Sequence, residues 1–241
     1  MPGPHVGTLR ETPLHAALKQ WCARPGDRFE QPVEGFVVDV VRDDLLIEVQ
    51  TRGFGSMHRK LDVLLDAHHV RVVHPIAVER HIVKLGDGGE VLSRRRSPKK
   101  GVAADVFAEL VSFPTLLDHP HLTLQVVFTR EDEIRVHRPG KAWRRKGWVV
   151  HDRHLLEVVD DALLASPDDL AELLPSSLPD EFTTADLARA LGRPRRLAQQ
   201  MAYCLREADA VDVVGRDGNA VRYARRPRGT SSSPDRALGR T

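Results

Sequence analysis

Along the first part of the chain the apolar positions change period several times. Leu14, Ala17, Leu18 and Trp21 recur at helical spacing behind Thr12-Pro13, a capping hydroxyl followed by a first-turn proline, and Pro25-Gly26 closes that helix. Arg28 to Val33 reads as a short strand. Gly35 to Val41 and Leu45 to Thr51, both rich in β-branched residues and separated by Asp43-Asp44, read as a hairpin. Ser56 is placed to cap a helix whose Met57, Leu61, Leu64 and Leu65 form one stripe, and His69 to Val73 is a buried-type strand bounded by Pro75. The order is αβββαβ, an α/β class. A strand, helix, strand run at this spacing asks for a right-handed crossover, so the fourth strand should lie parallel to the third in a mixed sheet.

Beyond this core the pattern predicts a hairpin, Val78 to Leu85 and Glu90 to Arg96, about Gly86-Asp87-Gly88-Gly89. A helix over Val102 to Phe113 stopped by Pro114, a strand over His121 to Thr129 and a short helix within Pro167 to Pro175 follow. Thr183 to Gly192 is a capped helix closed by glycine. Arg193 to Ala208 is a second helix with Leu197, Met201, Cys204 and Leu205 inward, and Tyr203 is assigned to the core with them. Val211 to Val214 and Ala220 to Tyr223 then flank a turn at Gly215 to Asn219. The expected division is a core over 12–77, a basic α+β extension over 78–150, a helix-rich module over 151–226 and a disordered tail over 227–241.

Composition narrows the class. With 41% hydrophobic and 29% charged residues in 241, the chain is an ordinary globular protein rather than a low-complexity one. No apolar run approaches the roughly 18–20 residues of a membrane span, and the start, MPGPHVGTLRETP, lacks a signal peptide's apolar stretch. A cytoplasmic protein without a membrane partner is expected. Cys22 and Cys204 stand alone and outside any CxxC pattern, which excludes a cysteine zinc site. The net charge of +2 is too small to name a partner by itself, so its distribution carries the argument.

The hairpin offers the first chemistry. A two-residue turn at Asp43-Asp44 sets Asp39 opposite Glu48 and Val37 opposite Gln50, all on one face, with Phe36, Val38, Val40, Ile47 and Val49 on the other. Opposed carboxylates repel unless a cation, a proton or a basic side chain lies between them. Asp39, Glu48 and the backbone carbonyl of Val49 make an oxygen donor set suited to Mg²⁺ or Mn²⁺.

This arrangement, αβββαβ with Asp39 on the second strand and Glu48-Val49-Gln50 on the third, resembles the PD-(D/E)xK nuclease superfamily. The wording FVVDVVRDDLLIEVQT is similar to its Holliday-junction-resolvase and restriction-endonuclease-like branches. The resemblance covers Leu14 to Ala77. It implies a restriction-endonuclease-like mixed sheet, metal held by Asp39 and Glu48, and Gln50 as the third motif member where the family usually has lysine. Gln50 can neither carry charge nor take a proton at neutral pH. A cation from elsewhere, Lys60 on the following helix or Arg52, would have to serve, and Glu30 is an auxiliary carboxylate.

Two basic clusters follow: Arg94, Arg95, Arg96, Lys99 and Lys100, then Arg144, Arg145 and Lys146 interleaved with Trp143 and Trp148, a combination that neutralises phosphate and stacks on bases. The helix, turn, helix, hairpin order near the C-terminus is similar to a winged helix. That resemblance implies groove contacts from Arg193, Arg195, Arg196, Gln199 and Gln200 and phosphate contacts from the wing residues Arg216 and Arg222. His68 and His69 cannot both face one way on a strand or helix, His119 and His121 sit by a proline, and His151 with His154 lacks a third ligand at recognisable spacing, so all read as fillers. The expected partner is nucleic acid, DNA first, and a homodimer is compatible with it. Three functions stay open: a metal-dependent endonuclease, a DNA-binding regulator on a degenerate nuclease fold, and a protein-interaction adaptor.

Overall fold

The computed structural model describes residues 11–226, so the tail expected over 227–241 lies outside the described residues. A seven-stranded mixed sheet carries most of the chain. Helix α1 (Pro13–Cys22) precedes strands β1 (Arg28–Val33), β2 (Phe36–Arg42) and β3 (Leu45–Val49), then α2 (His58–Leu65) and β4 (His69–Leu85). Next come β5 (Val91–Arg96), the short α3 (Phe107–Leu110), β6 (Leu122–His137) and β7 (Trp148–Leu164). The order across the sheet is β1-β2-β3-β4-β6-β7, with β5 paired to β4. As the crossover argument requires, β3 and β4 run parallel, from Leu45↔His69 to Val49↔Val73.

Thr12 caps α1, its hydroxyl accepting from His15 N, with Pro13 at the first turn. Ser56 does not cap α2. It sits in a single 3-10 turn (Phe54–Ser56), and α2 begins at His58 with no side-chain cap, although Met57, Leu61, Leu64 and Leu65 are all buried as a stripe. The expected helix over Val102 to Phe113 is a 3-10 turn over Ala103–Val106 running into the one-turn α3.

Pro75 does not end the fourth strand. β4 continues through it to Leu85 and crosses the boundary expected at residue 77, just as β7 crosses the one at 150. On the edge that β4 shares with β3 and β5, backbone bonding stops at Gln50 N to Val73 O and resumes at Ser97 N to Arg80 O, with Gly101 N to Ala77 O between them. A proline, which has no N–H to offer a ladder, costs nothing where the strand has no partner on that side.

Both faces of the sheet are covered. Leu14 and Leu18 of α1 pack on Val40, Ile47, Val49, Val73 and Val127. On the opposite face Val38, Val41, Leu46, Val70 and Val72 join α2, Phe107 and Leu110 in a larger cluster, which continues into the C-terminal elements through Met201, Leu205 and Phe182. Each fully buried leucine or phenylalanine contributes about 1.5–3 kcal/mol. The C-terminal elements are α4 (Pro167–Glu172), β8 (Glu181–Thr183), α5 (Thr184–Leu191), α6 (Arg195–Glu207), β9 (Val211–Asp217) and β10 (Ala220–Arg225), the strands forming a second sheet in the order β8-β10-β9. Thr183 and Asp186 form a capping box at the start of α5, and Gly192 ends it at φ 61°.

Candidate functional site

The β2–β3 hairpin has the expected turn and register, pairing Arg42↔Leu45, Val41↔Leu46 and Val40↔Ile47. The ladder stops there. Asp39 and Glu48 are the next residues along, and β3 ends at Val49, so Val37 and Gln50 do not pair. The facing also differs from expectation. Residues two apart on a strand normally share a face, yet Val38 packs with Leu46 and α2 while Val40 packs with Ile47 and α1. The change of side falls at Asp39, whose neighbour across β1 is Glu30, held at φ 51° between the pairs Phe29↔Val40 and Gln31↔Val38. This local irregularity turns Asp39 toward α1, whereas Glu48 stays on the α2 side.

Each carboxylate therefore has its own partners. Asp39 Oδ2 accepts from Val49 N at 2.8 Å and lies 3.2 Å from His15 Nε2 on α1. Glu48, only 7% exposed, has Lys60 Nζ of α2 at 2.6 Å from its Oε1, and Lys60 also donates to Val37 O at 2.6 Å. Burial pushes the Glu48 carboxyl up to about 7, against the pull of Lys60 and with the help of the Asp39 charge. Burial acts in the same direction on Asp39, but the hydrogen bond and charge of His15, with Val49 N–H and Lys60, hold it below the ordinary carboxylate range. On His15 burial is outweighed by Asp39 and Glu11, which lift the imidazole to about 8.

Sequence reasoning passes over His15 and Lys19, because α1 precedes the motif. Their signal is the (i, i+4) spacing of Glu11 and His15 and of His15 and Lys19 on one helix face. His15 Nδ1 lies 2.8 Å from Glu11 Oε1; Lys19 pairs with Glu11 and with Glu30, so the expected auxiliary carboxylate is occupied by a cation. A cleft of about 410 Å³ opens over Glu11, His15, Glu30, Asp39, Gln50 and Arg52. Gln50 points its side-chain amide at Gly53 O at 2.8 Å, and its backbone carbonyl accepts from His74 Nδ1 at 2.7 Å. Val49 offers Asp39 its N–H, with its side chain in the core.

Asp39 and Glu48 are hard oxygen donors of the kind Mg²⁺ takes. Among the described residues, however, no group of three or more His, Cys, Asp or Glu side chains is placed to hold a metal. A cation entering here competes with His15 and Lys60 for the two carboxylates.

The basic residues separate into free and tied. Arg94 pairs with Asp132, Arg96 with Glu79 and Arg222 with Glu181. Arg95, Lys99, Lys100, Arg145, Lys146 and Arg216 are exposed. Trp143, 80% exposed, is a surface ring with Arg144 against it, and Lys84 lies over Trp148. On α6, Arg195, Arg196 and Gln199 face solvent and Gln200 is half-buried. Tyr203 is exposed, joining that outer stripe rather than the core. Arg193 is turned inward, donating to Lys100 O and lying 4.0 Å from Asp105.

Residues 12–165, α1 to the end of β7, match the family model described as a domain of unknown function, DUF8091. The chain belongs to the DUF8091 family. An uncharacterized protein of Treponema pallidum (strain Nichols) is 35% identical over 231 residues, 95% of this chain and 91% of its own length. That likeness therefore extends past the DUF8091 region into the C-terminal helices. No solved structure matches. Among the described residues no helix is long and apolar enough to cross a membrane.

Proposed function

We propose that this chain acts on DNA as a metal-dependent phosphodiester hydrolase of the PD-(D/E)xK type, positioned by a C-terminal winged helix. The observation that carries the proposal is Lys60. The motif lacks its lysine at Gln50, and a lysine reaches Glu48 from α2, supplying the cation that the motif position lacks. On this reading Asp39 leaves His15 and turns toward Glu48, and the two carboxylates together would hold Mg²⁺ or Mn²⁺, which would supply hydroxide and offset transition-state charge. The C-terminal order helix, strand, helix, helix, strand, strand, with Arg195, Arg196 and Gln199 outward on α6, supports the winged-helix reading.

A second reading, a DNA-binding regulator on a degenerate nuclease fold, is favoured by one observation. Both carboxylates are already neutralised by protein cations, His15 and Lys60. Cleavage of linear, branched and single-stranded DNA in Mg²⁺, Mn²⁺ or EDTA, by the full chain and by Asp39→Ala, decides between them. Cutting that EDTA and Asp39→Ala both abolish, with binding retained, supports the hydrolase. Salt-sensitive binding without cutting supports the regulator, and cutting at the parent rate by Asp39→Ala removes the site assignment.

A further inference from the structure

Beside the carboxylate cleft, and sharing Thr51 and Arg52 with it, lies a second cavity of about 430 Å³. It sits where β4 has left β3 and not yet met β5, a gap at the carboxyl end of a parallel strand of the kind α/β sheets use for ligands. Cations from four different segments line it: Arg52 after β3, Arg80 on β4, Lys99 in the loop after β5 and Arg153 on β7.

Two of the four are fixed in advance. Glu131 of β6 is fully buried and is held by Thr129 Oγ1 at 2.8 Å; it lies 3.2 Å from Arg80 Nη2 and 3.9 Å from Arg153 Nη1. Arg153 Nη2 also donates to Thr51 O at 3.0 Å, tying the cavity wall to the end of the β3 segment. Arg80 Nε is buried with no hydrogen-bond partner among the described residues. Arg52 and Lys99 make no ion pair within the described residues, so their charge is uncommitted. Burial and the neighbouring charges of Arg80 and Arg52 draw Arg153 below its ordinary range, against the pull of Glu131. Arg80 Nη1 also lies 3.5 Å from Glu133, so the two fixed arginines face two buried carboxylates, and Arg52 and Lys99 bring further positive charge to the same cavity wall. Asp105 and Glu109 mark the acidic side of the cavity, and Asp105 is occupied with Val102 N–H.

We propose that this cavity binds a phosphomonoester, either a free nucleotide's phosphate or the terminal phosphate of a nucleic-acid strand. A phosphomonoester carries about −1.5 to −2 charges and three acceptor oxygens, which suits converging guanidinium forks better than the single charge of an internal diester. The proposal goes beyond the cleavage chemistry and does not depend on it.

The test is equilibrium binding to the full chain in EDTA, so that no turnover enters. Inorganic phosphate, 5′-AMP beside adenosine, and a short single-stranded oligonucleotide with or without a 5′-phosphate are the probes. The phosphorylated oligonucleotide or AMP should bind at least about tenfold tighter than its unphosphorylated counterpart, the effect of one charge-assisted hydrogen bond. Preference for AMP assigns a free nucleotide, and preference for the phosphorylated oligonucleotide a strand end. Arg52→Gln and Lys99→Gln, both at exposed positions, should each weaken binding by about three- to tenfold. Glu109→Gln should tighten it, a direction that a purely structural role would not give. Equal affinity for phosphorylated and unphosphorylated oligonucleotides, with no binding of phosphate or AMP, overturns the proposal and leaves the DNA-binding reading standing. So does phosphate binding unaffected by Arg52→Gln and Lys99→Gln.

Discussion

Lys60 and Glu48 form a buried ion pair, 2.6 Å between Nζ and Oε1, with the ammonium anchored a second time on Val37 O. Lys60→Met leaves Glu48 buried and unpaired, which typically costs about 3–5 kcal/mol when the remaining group stays charged and less when it takes up a proton. Without the pull of Lys60 the carboxyl moves further up and takes up a proton at pH 8, so the expected loss is about 1–3 kcal/mol, and Glu48→Gln placed on top should recover most of it. Urea unfolding of the four proteins of this double-mutant cycle measures the coupling. Independent, additive effects would mean that the pair contributes nothing.

The same carboxyl makes stability pH-dependent. Its folded value of about 7 lies above the 4.5 of a free glutamate, so the folded state holds the proton more tightly than the unfolded one. The stabilisation is fully present below about 4.5 and is lost as pH rises through about 7. Relative to Glu48→Gln, the parent should therefore lose stability from pH 5 to pH 8. A difference between the two proteins that does not change with pH would place the Glu48 carboxyl at an ordinary value.

His15 should be protonated at neutral pH. Its value of about 8, against 6.5 for a free imidazole, gives a contribution complete below about 6.5 and lost as pH rises through about 8. Imidazole proton chemical shifts should titrate near 8 in the parent and return toward 6.5 in Asp39→Asn, which removes the facing charge. A midpoint unmoved by Asp39→Asn would show that the 3.2 Å approach of the two side chains carries no coupling.

The legible and illegible parts of the sequence divide by distance. Strand and helix order through α2, the Asp43-Asp44 turn, and the cap and glycine stop of α5 are readable, because period, turn residues and capping act within a few positions. Pro75 misleads because a proline signals the end of a strand only where that strand has partners on both sides; the gap beside it is made by Gln50, Ser97 and Gly101, all remote along the chain. The irregularity opposite Glu30 has no glycine to mark it, so the side change at Asp39 is invisible along the chain. Lys60 is legible as a candidate from its place on α2. His15 is not, since only the fold lays α1 over the end of the hairpin.

On α6 the arginines should separate. Arg195 and Arg196 are exposed, whereas Arg193, just before the helix, holds the basic loop through Lys100 O at 2.5 Å. Arg195→Ala combined with Arg196→Ala should weaken duplex DNA binding about tenfold or more and leave the melting temperature unchanged. The dependence of log K on log salt should fall by about 0.9 for each phosphate that the variant no longer neutralises. Arg193→Ala should instead lower the melting temperature. Fluorescence anisotropy over a salt series, beside a thermal melt, reads both, and the reverse assignment would make Arg193 the DNA-facing residue.

Gly101 carries the last prediction, because it lets the Lys99 loop lie against β4. A Cβ built there would meet Ile76 Cγ2 at 2.5 Å and the backbone oxygen of Ala77 at 2.7 Å, the same oxygen that accepts from Gly101 N at 2.8 Å. A side chain could move aside or be trimmed; a strand carbonyl cannot without disturbing β4. Gly101→Ala should therefore cost about 1–3 kcal/mol. Ile76→Ala should fail to rescue it, since removing the methyl leaves the less yielding obstacle, the carbonyl, in place. Chemical denaturation of the two single variants and the double variant measures this. Restoration of parental stability by Ile76→Ala would show that the Ile76 methyl, rather than the backbone, is what requires glycine at this position.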